Sequence, residues 1–425
     1  MEILRKSEYN IFAVDIYREL IRKFESILGG STPQGLILTG IVGCGKTTLA
    51  RRVLRELSSR FEIYEFTGDD VRFREAVLAD SRALVNQLVG HKRALIFVDE
   101  VQKCDAVFDA LKVAFDEAKV SFVVSGSNPE FLNTVAKQKL QRRADLWFML
   151  PLSLPEILAH EGCAPLEDLL WSHCFLKQAD SLPDIGVRLV LTDTIRKRVR
   201  DYLIYGGLPL VYLAPEPDDK LRQVRQTVER GFEVISRENS ASREVVQIEL
   251  ARQQSQEFGY QGIIRKTRLT RREPINEVID HLVNHGYLCK RRPIFLEDER
   301  KTYLSIFSYV DPGIVTYLSG EASPDRAELG HRVEGVVHAR LDQWVKNGLF
   351  KHELGYFKPY VLDDHGKIKY RRGEIDFILK SGRRVLPMEV KLDEQIAALD
   401  TSALENLLRE HPRVPFGVVF YGGTP

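Results

Sequence analysis

A glycine-rich run near the start of the chain contains the residue types that bind nucleotide phosphates. It follows the spacing G-x-x-x-x-G-K-[ST] with one further threonine, and its candidate binding residues are Gly40, Gly43, Cys44, Gly45, Lys46, Thr47 and Thr48. Backbone N–H groups in such a loop turn inward around a phosphate, and the helix that follows adds its positive end. Lys46 would contact the β- and γ-phosphates, and the Thr47 hydroxyl would ligate Mg²⁺. The run predicts a site for ATP and magnesium; the alternative is a glycine-rich turn with an incidental lysine.

Two adjacent carboxylates follow an apolar run further along the chain. Residues 94–98 read Ala-Leu-Ile-Phe-Val and precede Asp99 and Glu100. At the end of a buried strand, Asp99 would hold Mg²⁺ through water, and Glu100 would polarise the attacking water as general base. The alternative is an acidic pair that caps a helix. Together with the glycine-rich run, this pair predicts ATP hydrolysis.

Two further positions are candidates for stabilising the charge of the γ-phosphate. The next apolar run ends with Ser125, Ser127 and Asn128, and a hydroxyl or amide there would sense the γ-phosphate; we select Ser125. Arg143, or its neighbour Arg142, would act as an arginine finger in the site of a neighbouring subunit. Such a role implies a homo-oligomer, and the alternative is a pair of ordinary surface arginines.

A second group of charged residues lies near the carboxyl terminus. Asp376 is followed thirteen residues later by Glu389 and then by Lys391, in the order D-x(n)-E-x-K. Residues i and i+2 of a strand share a face, so Glu389 and Lys391 would point the same way. Asp376 on an adjacent strand would then share Mg²⁺ or Mn²⁺ with Glu389, and Lys391 would orient or activate water against a phosphodiester. Glu334 would complete the metal shell; the alternative to such a site is an exposed charged edge.

Basic residues flank a predicted recognition helix. Those before the helix and those at the wing that follows it are Arg265, Lys266, Arg268, Arg271, Arg272, Lys290, Arg291 and Arg292. Charges in these places would neutralise DNA phosphates and give salt-dependent binding. DNA is therefore an expected partner beside ATP; solvated charge runs and protein contacts are the alternatives.

The elements that must position these residues follow from hydrophobic patterning. Short apolar runs at 36–39, 62–66, 94–98, 120–125 and 146–150 alternate with amphipathic stretches. This alternation predicts an α/β fold with a parallel sheet and crossover helices. Helical patterning and helix breakers, and then a helix with a hairpin, follow that sheet. The predicted domains are a P-loop ATPase core over 1–152, a helical lid or adaptor over 153–258, a winged helix-turn-helix over 259–320 and an α/β module over 330–425.

Composition limits the class of protein. The 425 residues are 44% hydrophobic and 28% charged, which is typical of soluble globular domains and excludes wholesale disorder. A formal charge of +1 means that affinity for nucleic acid must come from local basic faces. The five cysteines form no Cys-x-x-Cys pair, which argues against a disulfide framework or a zinc ribbon. With no signal-like or membrane-spanning apolar run, we expect a cytoplasmic protein without a membrane partner.

Motifs across nearly the whole chain resemble one family. They are the glycine-rich loop, Phe97-Val-Asp-Glu-Val-Gln102, Ser125-Gly-Ser127, Leu150-Pro-Leu-Ser153-x-x-Glu156, Tyr205-Gly-Gly-Leu-Pro209 and the stretch from Thr267 to Tyr287. Together they resemble the prokaryotic AAA-type ATPases that carry a DUF4143 carboxyl-terminal region. The resemblance implies that residues 330–425 adopt a PD-(D/E)xK nuclease-like fold, which is the fold of restriction endonucleases. That family usually has Gly-Arg after the sensor strand, whereas this chain has Arg142-Arg143.

These patterns lead to one functional hypothesis and one alternative. The first is a protein that binds and hydrolyses ATP and acts on DNA, with its nucleotide state coupled to the winged helix and to a metal-dependent nuclease module. The alternative is a nucleotide-dependent switch or scaffold, whose nuclease-like fold binds protein or nucleic-acid partners without cleavage.

Overall fold

The structure is a computed structural model, and its described residues form two compact units. It describes residues 33–80, 82, 94–117, 120–161, 192–233, 240–267, 271–296, 305–348, 353–362, 368–370, 373–392, 398–414 and 416–421. The amino-terminal unit contains the described residues up to Glu161, together with Leu208–Leu213 and Asn284–Gly286. The carboxyl-terminal unit contains the other described residues. Among the residues described, no helix is both long enough and apolar enough to span a bilayer.

A five-stranded parallel sheet is the centre of the amino-terminal unit. Its strands are β1 (Gly35–Gly40), β2 (Glu62–Thr67), β3 (Ala94–Asp99), β4 (Ser121–Gly126) and β5 (Ala144–Met149). They lie in the order β2-β3-β4-β1-β5, and every neighbouring pair is parallel. β1 and β4 are buried along their whole length, as their continuous apolar sequences predict for strands covered on both faces. The α/β fold and the five strands predicted from the sequence are therefore confirmed.

Six helices of this unit connect or flank the strands. They are α1 (Lys46–Leu57), α2 (Val71–Ala79), α3 (Ala106–Asp116), α4 (Pro129–Gln138), α5 (Leu154–His160) and α7 (Pro209–Leu213). Local sequence sets where two of them begin, because the side chains of Asp70 and Asn128 accept backbone N–H groups in the first turns of α2 and α4. Because all five strands are parallel, their carboxyl ends lie together at one end of the sheet, and crossover connections are needed between them.

The carboxyl-terminal unit combines helices with a mixed sheet. Its helices are α6 (Asp193–Tyr205), α8 (Pro217–Glu233), α9 (Ser240–Arg252), α10 (Tyr260–Thr267), α11 (Glu273–Asn284), α12 (Pro312–Ser319), α13 (Arg326–Lys346) and α14 (Ala398–Glu410). Its strands are β6 (Leu288–Pro293), β7 (Ile306–Tyr309), β8 (Glu353–Phe357), β9 (Tyr360–Leu362), β10 (Ile368–Tyr370), β11 (Ile375–Ser381), β12 (Arg384–Lys391) and β13 (Val418–Tyr421). β9 and β10 pair only with each other among the described strands.

One sheet joins two segments that the sequence patterning separates. Six strands lie in the order β13-β12-β11-β8-β6-β7. The helix α11 followed by the antiparallel pair β6 and β7 has the predicted order of helix and hairpin. β6, however, also pairs in parallel with β8, through Arg292 opposite Gly355 and Pro293 opposite Tyr356. An isolated two-stranded hairpin is only marginally stable, and this pairing places it within a larger sheet. The winged helix-turn-helix and the boundary between 259–320 and 330–425 stay predictions.

A buried aspartate fixes the glycine pair after α6. The carboxylate of Asp311 accepts the backbone N–H of Gly207 at 2.8 Å on one oxygen and that of Gly313 at 2.9 Å on the other. It thereby holds the Gly206–Gly207 turn and caps α12 at once. Burial raises the pKa of Asp311 to about 6, against the lowering effect of these hydrogen bonds. Gly206 has a φ of 80°, and a methyl group on it would overlap Oδ1 of Asp311.

We expect Gly206→Ala to destabilise the protein more than Gly320→Ala. Both glycines have positive φ, 80° and 75°, but the space beside Gly320 is open. Gly320 has a ψ of 8° and lies in the left-handed helical region, where alanine costs about 1 kcal/mol. Gly206 has a ψ of −169° and lies in a region open almost only to glycine, and its methyl group would also displace a carboxylate that two N–H groups need, so the two effects together cost about 2 kcal/mol more. Guanidinium unfolding followed by circular dichroism measures both. Equal losses for the two variants would show that Asp311 does not hold this turn.

Candidate functional site

The glycine-rich loop lies at the carboxyl edge of the parallel sheet, between β1 and α1. Gly43 and Gly45 have φ values of 78° and 99°, in the left-handed region where a glycine carries no steric cost. Leu49, Val53 and other apolar residues of α1 face the core, so the helix is held with its amino terminus at the loop. The loop therefore has the strand before it and the helix after it that its phosphate-binding role requires.

The Lys46 side chain is folded inside this loop. Its ammonium group donates to the carbonyls of Gly40 at 3.1 Å and Ile41 at 2.9 Å, and the side chain is 6% exposed. Cys44 is also buried, with Sγ 3.9 Å from the ammonium nitrogen, while Thr48 is exposed. Phosphate oxygens form stronger charge-assisted hydrogen bonds than carbonyls do, so a nucleotide phosphate in the loop would attract Lys46.

Three oxygen-bearing side chains meet beside the loop. The Thr47 hydroxyl donates to both carboxylate oxygens of Asp99, at 3.0 and 2.9 Å, and the Ser125 hydroxyl donates to Oδ1 of Asp99. Asp99 ends β3 and Ser125 lies at the end of β4, so the sheet order brings them to α1. Hydroxyl and carboxylate oxygens are the ligands that Mg²⁺ prefers, and these residues therefore fit a magnesium ion.

Glu100 is held by two polar neighbours. The Gln102 amide donates to Oε2 of Glu100 and also to the Ser127 hydroxyl at 3.2 Å, and Ser127 lies 3.4 Å from the same carboxylate oxygen. Glu100 has a φ of 48°, which is unusual for a residue with a side chain. Strained backbone of this kind often occurs at functional sites. Sequence reasoning did not select Gln102 for the site, although it lies two residues after the proposed base.

Pro209 also lies at the loop and was absent from the predicted site. Its Cγ is 3.5 Å from the position that a Cβ on Gly45 would occupy. The only signal in the sequence is the Gly-Gly-Leu-Pro stretch, which ends at this proline.

Arg143 lies at the amino-terminal ends of the strands, whereas the glycine-rich loop lies at their carboxyl-terminal ends. It precedes β5, whose first residue, Ala144, is opposite Gly35 at the start of β1. Six residues of β1 separate this edge from the loop, or about 17 Å. The guanidinium forms a two-pronged ion pair with Asp116, at 2.8 and 2.9 Å. The structure thus does not bring Arg143 to the loop of its own chain, and a role in a neighbouring subunit stays a prediction.

The predicted carboxylates of the carboxyl-terminal unit are close together. Phe377 of β11 is paired with Met388 of β12 in an antiparallel ladder. Asp376 precedes Phe377 and Glu389 follows Met388, so the two carboxylates are neighbours across the strands. Oδ2 of Asp376 accepts the N–H of Val390 at 2.7 Å. Lys391 donates to Oε2 of Glu389 at 3.1 Å, on the strand face that the spacing predicts.

Burial makes these carboxylates hard to ionise. Glu389 is 1% exposed, and burial followed by the charge of Asp376 raises its pKa to about 8. Burial and then the charge of Glu334 raise the pKa of Asp376. A divalent cation would relieve the mutual repulsion of these groups, so the donor set fits Mg²⁺ or Mn²⁺.

Arg291 corrects one expectation from the sequence. It was predicted to contact DNA phosphates at the wing, yet its side chain is 1% exposed. Its guanidinium donates to Oε2 of Glu334 at 3.0 Å and to the carbonyl of Asp376 at 2.9 Å. A strand residue alternates between faces, and here the inward face carries the arginine. Arg292, next to it, is exposed.

The other predicted basic residues differ in their surroundings. Arg265, Arg271 and Arg272 are exposed, and Arg272 lies over the ring of Tyr260 at 4.9 Å. Lys266 forms an ion pair with Glu249. Lys290 is partly buried and lies over the ring of Phe307. Arg268 lies outside the described residues.

Lys46 and Thr47 lie at the start of α1, and Thr47 contacts Asp99 on β3, which is two strands from β1 in the parallel sheet. This arrangement defines the amino-terminal unit as a P-loop nucleotide-binding domain. Residues 32–158 match the family described as an AAA domain, so this segment is similar to AAA domains and that part of the resemblance is confirmed.

One curated relative and several solved structures are also similar. A segment of 84 residues is 34% identical to the replication factor C large subunit of Methanococcus maripaludis, and it covers 19% of this chain and 17% of that protein. A RuvB mutant of Thermotoga maritima aligns at 17% identity with a TM-score of 0.32, over 67% of this chain and 90% of the other. The Aeropyrum pernix ORC1 protein in complex with DNA aligns at 15% identity with a TM-score of 0.29, over 76% of this chain and 94% of the other.

We expect Glu100→Gln to retain ATP binding but to lower ATP hydrolysis at least 100-fold. The amide keeps the size of the side chain and removes the basicity that water activation needs. Lys46→Ala should weaken ATP binding itself, because it removes a charged donor to the phosphates. Fluorescent-nucleotide titration and phosphate release separate the two effects. Glu75→Gln, on the exposed face of α2, is the control, and unchanged hydrolysis in Glu100→Gln would exclude Glu100 as the base.

We also expect Glu389→Gln to flatten the dependence of stability on pH when metal is chelated. With a folded-state pKa of about 8, Glu389 keeps its proton in the folded protein between about pH 4.5 and 8, while the unfolded chain loses it. The free energy of unfolding of the wild type therefore falls as pH rises through this window, by up to about 1.4 kcal/mol per pH unit from this group. Urea unfolding at pH 5, 6, 7 and 8 measures the slope. Identical slopes for the two proteins would mean that Glu389 is ionised in the folded state.

Proposed function

We propose that the protein binds and hydrolyses ATP in its AAA domain and cleaves DNA at a divalent-metal centre in its carboxyl-terminal unit. The observation that carries the ATPase part is the pair of hydrogen bonds from Thr47 to Asp99 beside Lys46. The convergence of Asp376, Glu389 and Lys391 supports the nuclease part, together with the sequence resemblance to the DUF4143 family.

In the proposed ATPase reaction each residue near the loop has one task. Thr47 and Asp99 would hold magnesium, which when bound would neutralise charge on the β- and γ-phosphates. Ser125 orients Asp99 through its hydroxyl. Gln102 and Ser127 orient Glu100, which takes the proton of the attacking water. Lys46 binds the phosphate oxygens, and Arg143 of a neighbouring subunit is proposed to stabilise the transition state in a homo-oligomer.

In the proposed nuclease reaction, residues of the carboxyl-terminal unit hold the metal ion, orient the attacking water and contact the DNA backbone. A divalent ion, when bound, would polarise the phosphodiester and lower the pKa of water. Asp376 and Glu389 would hold that ion, and Lys391, 3.1 Å from Glu389, orients the attacking water. The exposed Arg265, Arg271, Arg272 and Arg292 would contact the DNA backbone. The relative named replication factor C supports a role on DNA, and we propose that the nucleotide state regulates the cleavage.

A nucleotide-dependent switch without cleavage is the second candidate. Arg291 favours it, because this buried cation already neutralises Glu334 and reduces the need of the cluster for metal. In this reading ATP binding and slow hydrolysis regulate a contact with protein or nucleic acid.

We expect the full-length protein to cleave supercoiled and linear DNA with Mg²⁺ or Mn²⁺, and ATP to change the rate. Glu389→Ala should abolish cleavage and retain ATP hydrolysis, since the two sites use different residues. Lys46→Ala should retain the metal centre but lose the effect of ATP. Glu353→Ala, an exposed acid on β8, is the matched control.

Gel analysis of the products distinguishes the two candidates. Cleavage that survives Glu389→Ala would mean a contaminating nuclease and would refute the proposed centre. Absence of cleavage with every metal, while ATP hydrolysis persists, would favour the switch.

A further inference from the structure

Arg291 is a deeply buried cation beside the carboxyl-terminal carboxylates. It lies on β6, and its guanidinium joins Glu334 on α13 to the backbone of Asp376 on β11. The guanidinium carbon also lies 4.2 Å from the centre of the Phe377 ring. Within the described part of the chain, its Nε has no hydrogen-bond partner. A buried arginine loses its hydration, and these contacts replace only part of it.

The charges of the cluster limit how many cations it accepts. Metal binding requires ionised carboxylates. When Glu334, Asp376 and Glu389 are all ionised and His331 is neutral, they face two cations, Arg291 and Lys391, which leaves one net negative charge. At the edge of the cluster, Glu374 and Glu257 lie near Lys358 and add at most one more negative charge. One divalent ion therefore brings the cluster close to neutrality. A second would leave two or three positive charges in a buried place, which is unfavourable.

The oxygen atoms show the same limit. Oε2 of Glu334 accepts from Arg291, and Oε1 lies 3.8 Å from Nδ1 of His331. Oδ2 of Asp376 accepts from Val390, and Oε2 of Glu389 accepts from Lys391. The other oxygens of the central pair are Oδ1 of Asp376 and Oε1 of Glu389, and the hydrogen bond between the two carboxyl groups is lost when a metal ion displaces the proton of Glu389. These two atoms can coordinate one ion. A two-ion centre instead needs carboxylates that bridge two ions about 4 Å apart.

We propose that Arg291 is a fixed cation in the place of a second metal ion, so that the centre binds one divalent ion through Asp376 and Glu389. Glu334 then holds Arg291 rather than the metal, and Arg291 is a positioning residue. This inference rests on the proposed metal centre and states its stoichiometry. It also explains why a strand at the predicted wing carries its arginine inward.

The test counts Mn²⁺ ions on the full-length protein without nucleotide, by calorimetric titration and by the spin-resonance signal of free Mn²⁺. The ions lost in Glu389→Ala are those of the carboxyl-terminal centre, which separates them from any at the AAA domain. We expect one such ion per chain in the wild type and in Arg291→Lys. Arg291→Met removes the fixed charge, so we expect two ions or at least about tenfold tighter binding of the first.

The outcomes separate this inference from the proposed function. Two ions lost from the wild type in Glu389→Ala would refute the role of Arg291 and leave the nuclease proposal standing. No ion lost would refute the metal centre itself. Unchanged stoichiometry and affinity in a folded Arg291→Met would also refute the role of Arg291. If circular dichroism shows that this variant is unfolded, the stoichiometry of the wild type still decides between one ion and two.

Discussion

Parallel hydrogen bonding of β1 to β4 is the interaction on which the nucleotide site depends. It sets the end of β1 beside the end of β4, and the pairing of β4 with β3 brings Asp99 to the same edge. The glycine-rich loop can then continue from β1 into α1 with its N–H groups turned towards that edge. Ser125 and Thr47 come from different elements but meet on one carboxylate. A shift of one residue in either register would turn these side chains to the other face.

Buried charge governs the carboxyl-terminal unit in a comparable way. Asp311 is fully buried and satisfied by backbone N–H groups, and Arg291 is buried between a carboxylate and a carbonyl. Each draws together elements that are distant in the sequence. Leaving one partner of such a pair unpaired costs several kcal/mol, which makes these contacts specific as well as stabilising. Asp376 and Glu389, by contrast, repel each other when both are ionised, and that repulsion is the physical basis for proposing a cation between them.

Local patterns predicted much of this molecule, and they failed where a long-range contact decides. The five strands of the parallel sheet, the helix after the glycine-rich loop and the antiparallel strands around Asp376 and Glu389 all lie near their predicted places. The pairing of β6 with β8 was not predicted, because the sequence of a short strand does not indicate which distant strand it pairs with. Arg291 was misassigned for the same reason. Within Lys290-Arg291-Arg292, patterning alone does not show which side chain faces inward when neighbours are all basic.

The sequence by itself determined which residues could bind a nucleotide, since Lys46, Thr47, Asp99 and Glu100 belong to motifs whose spacing reflects a turn or a strand end. It also determined the order D-x(n)-E-x-K, because alternation along a strand is a local property. Only the tertiary structure decided that Gln102 and Ser127 hold Glu100, that Pro209 lies against the loop, and that Arg143 is at the far edge of the sheet. It also decided that Arg291 fills the space beside Glu334. These facts depend on strand order and burial, which arise from packing between distant segments and are not encoded in local spacing.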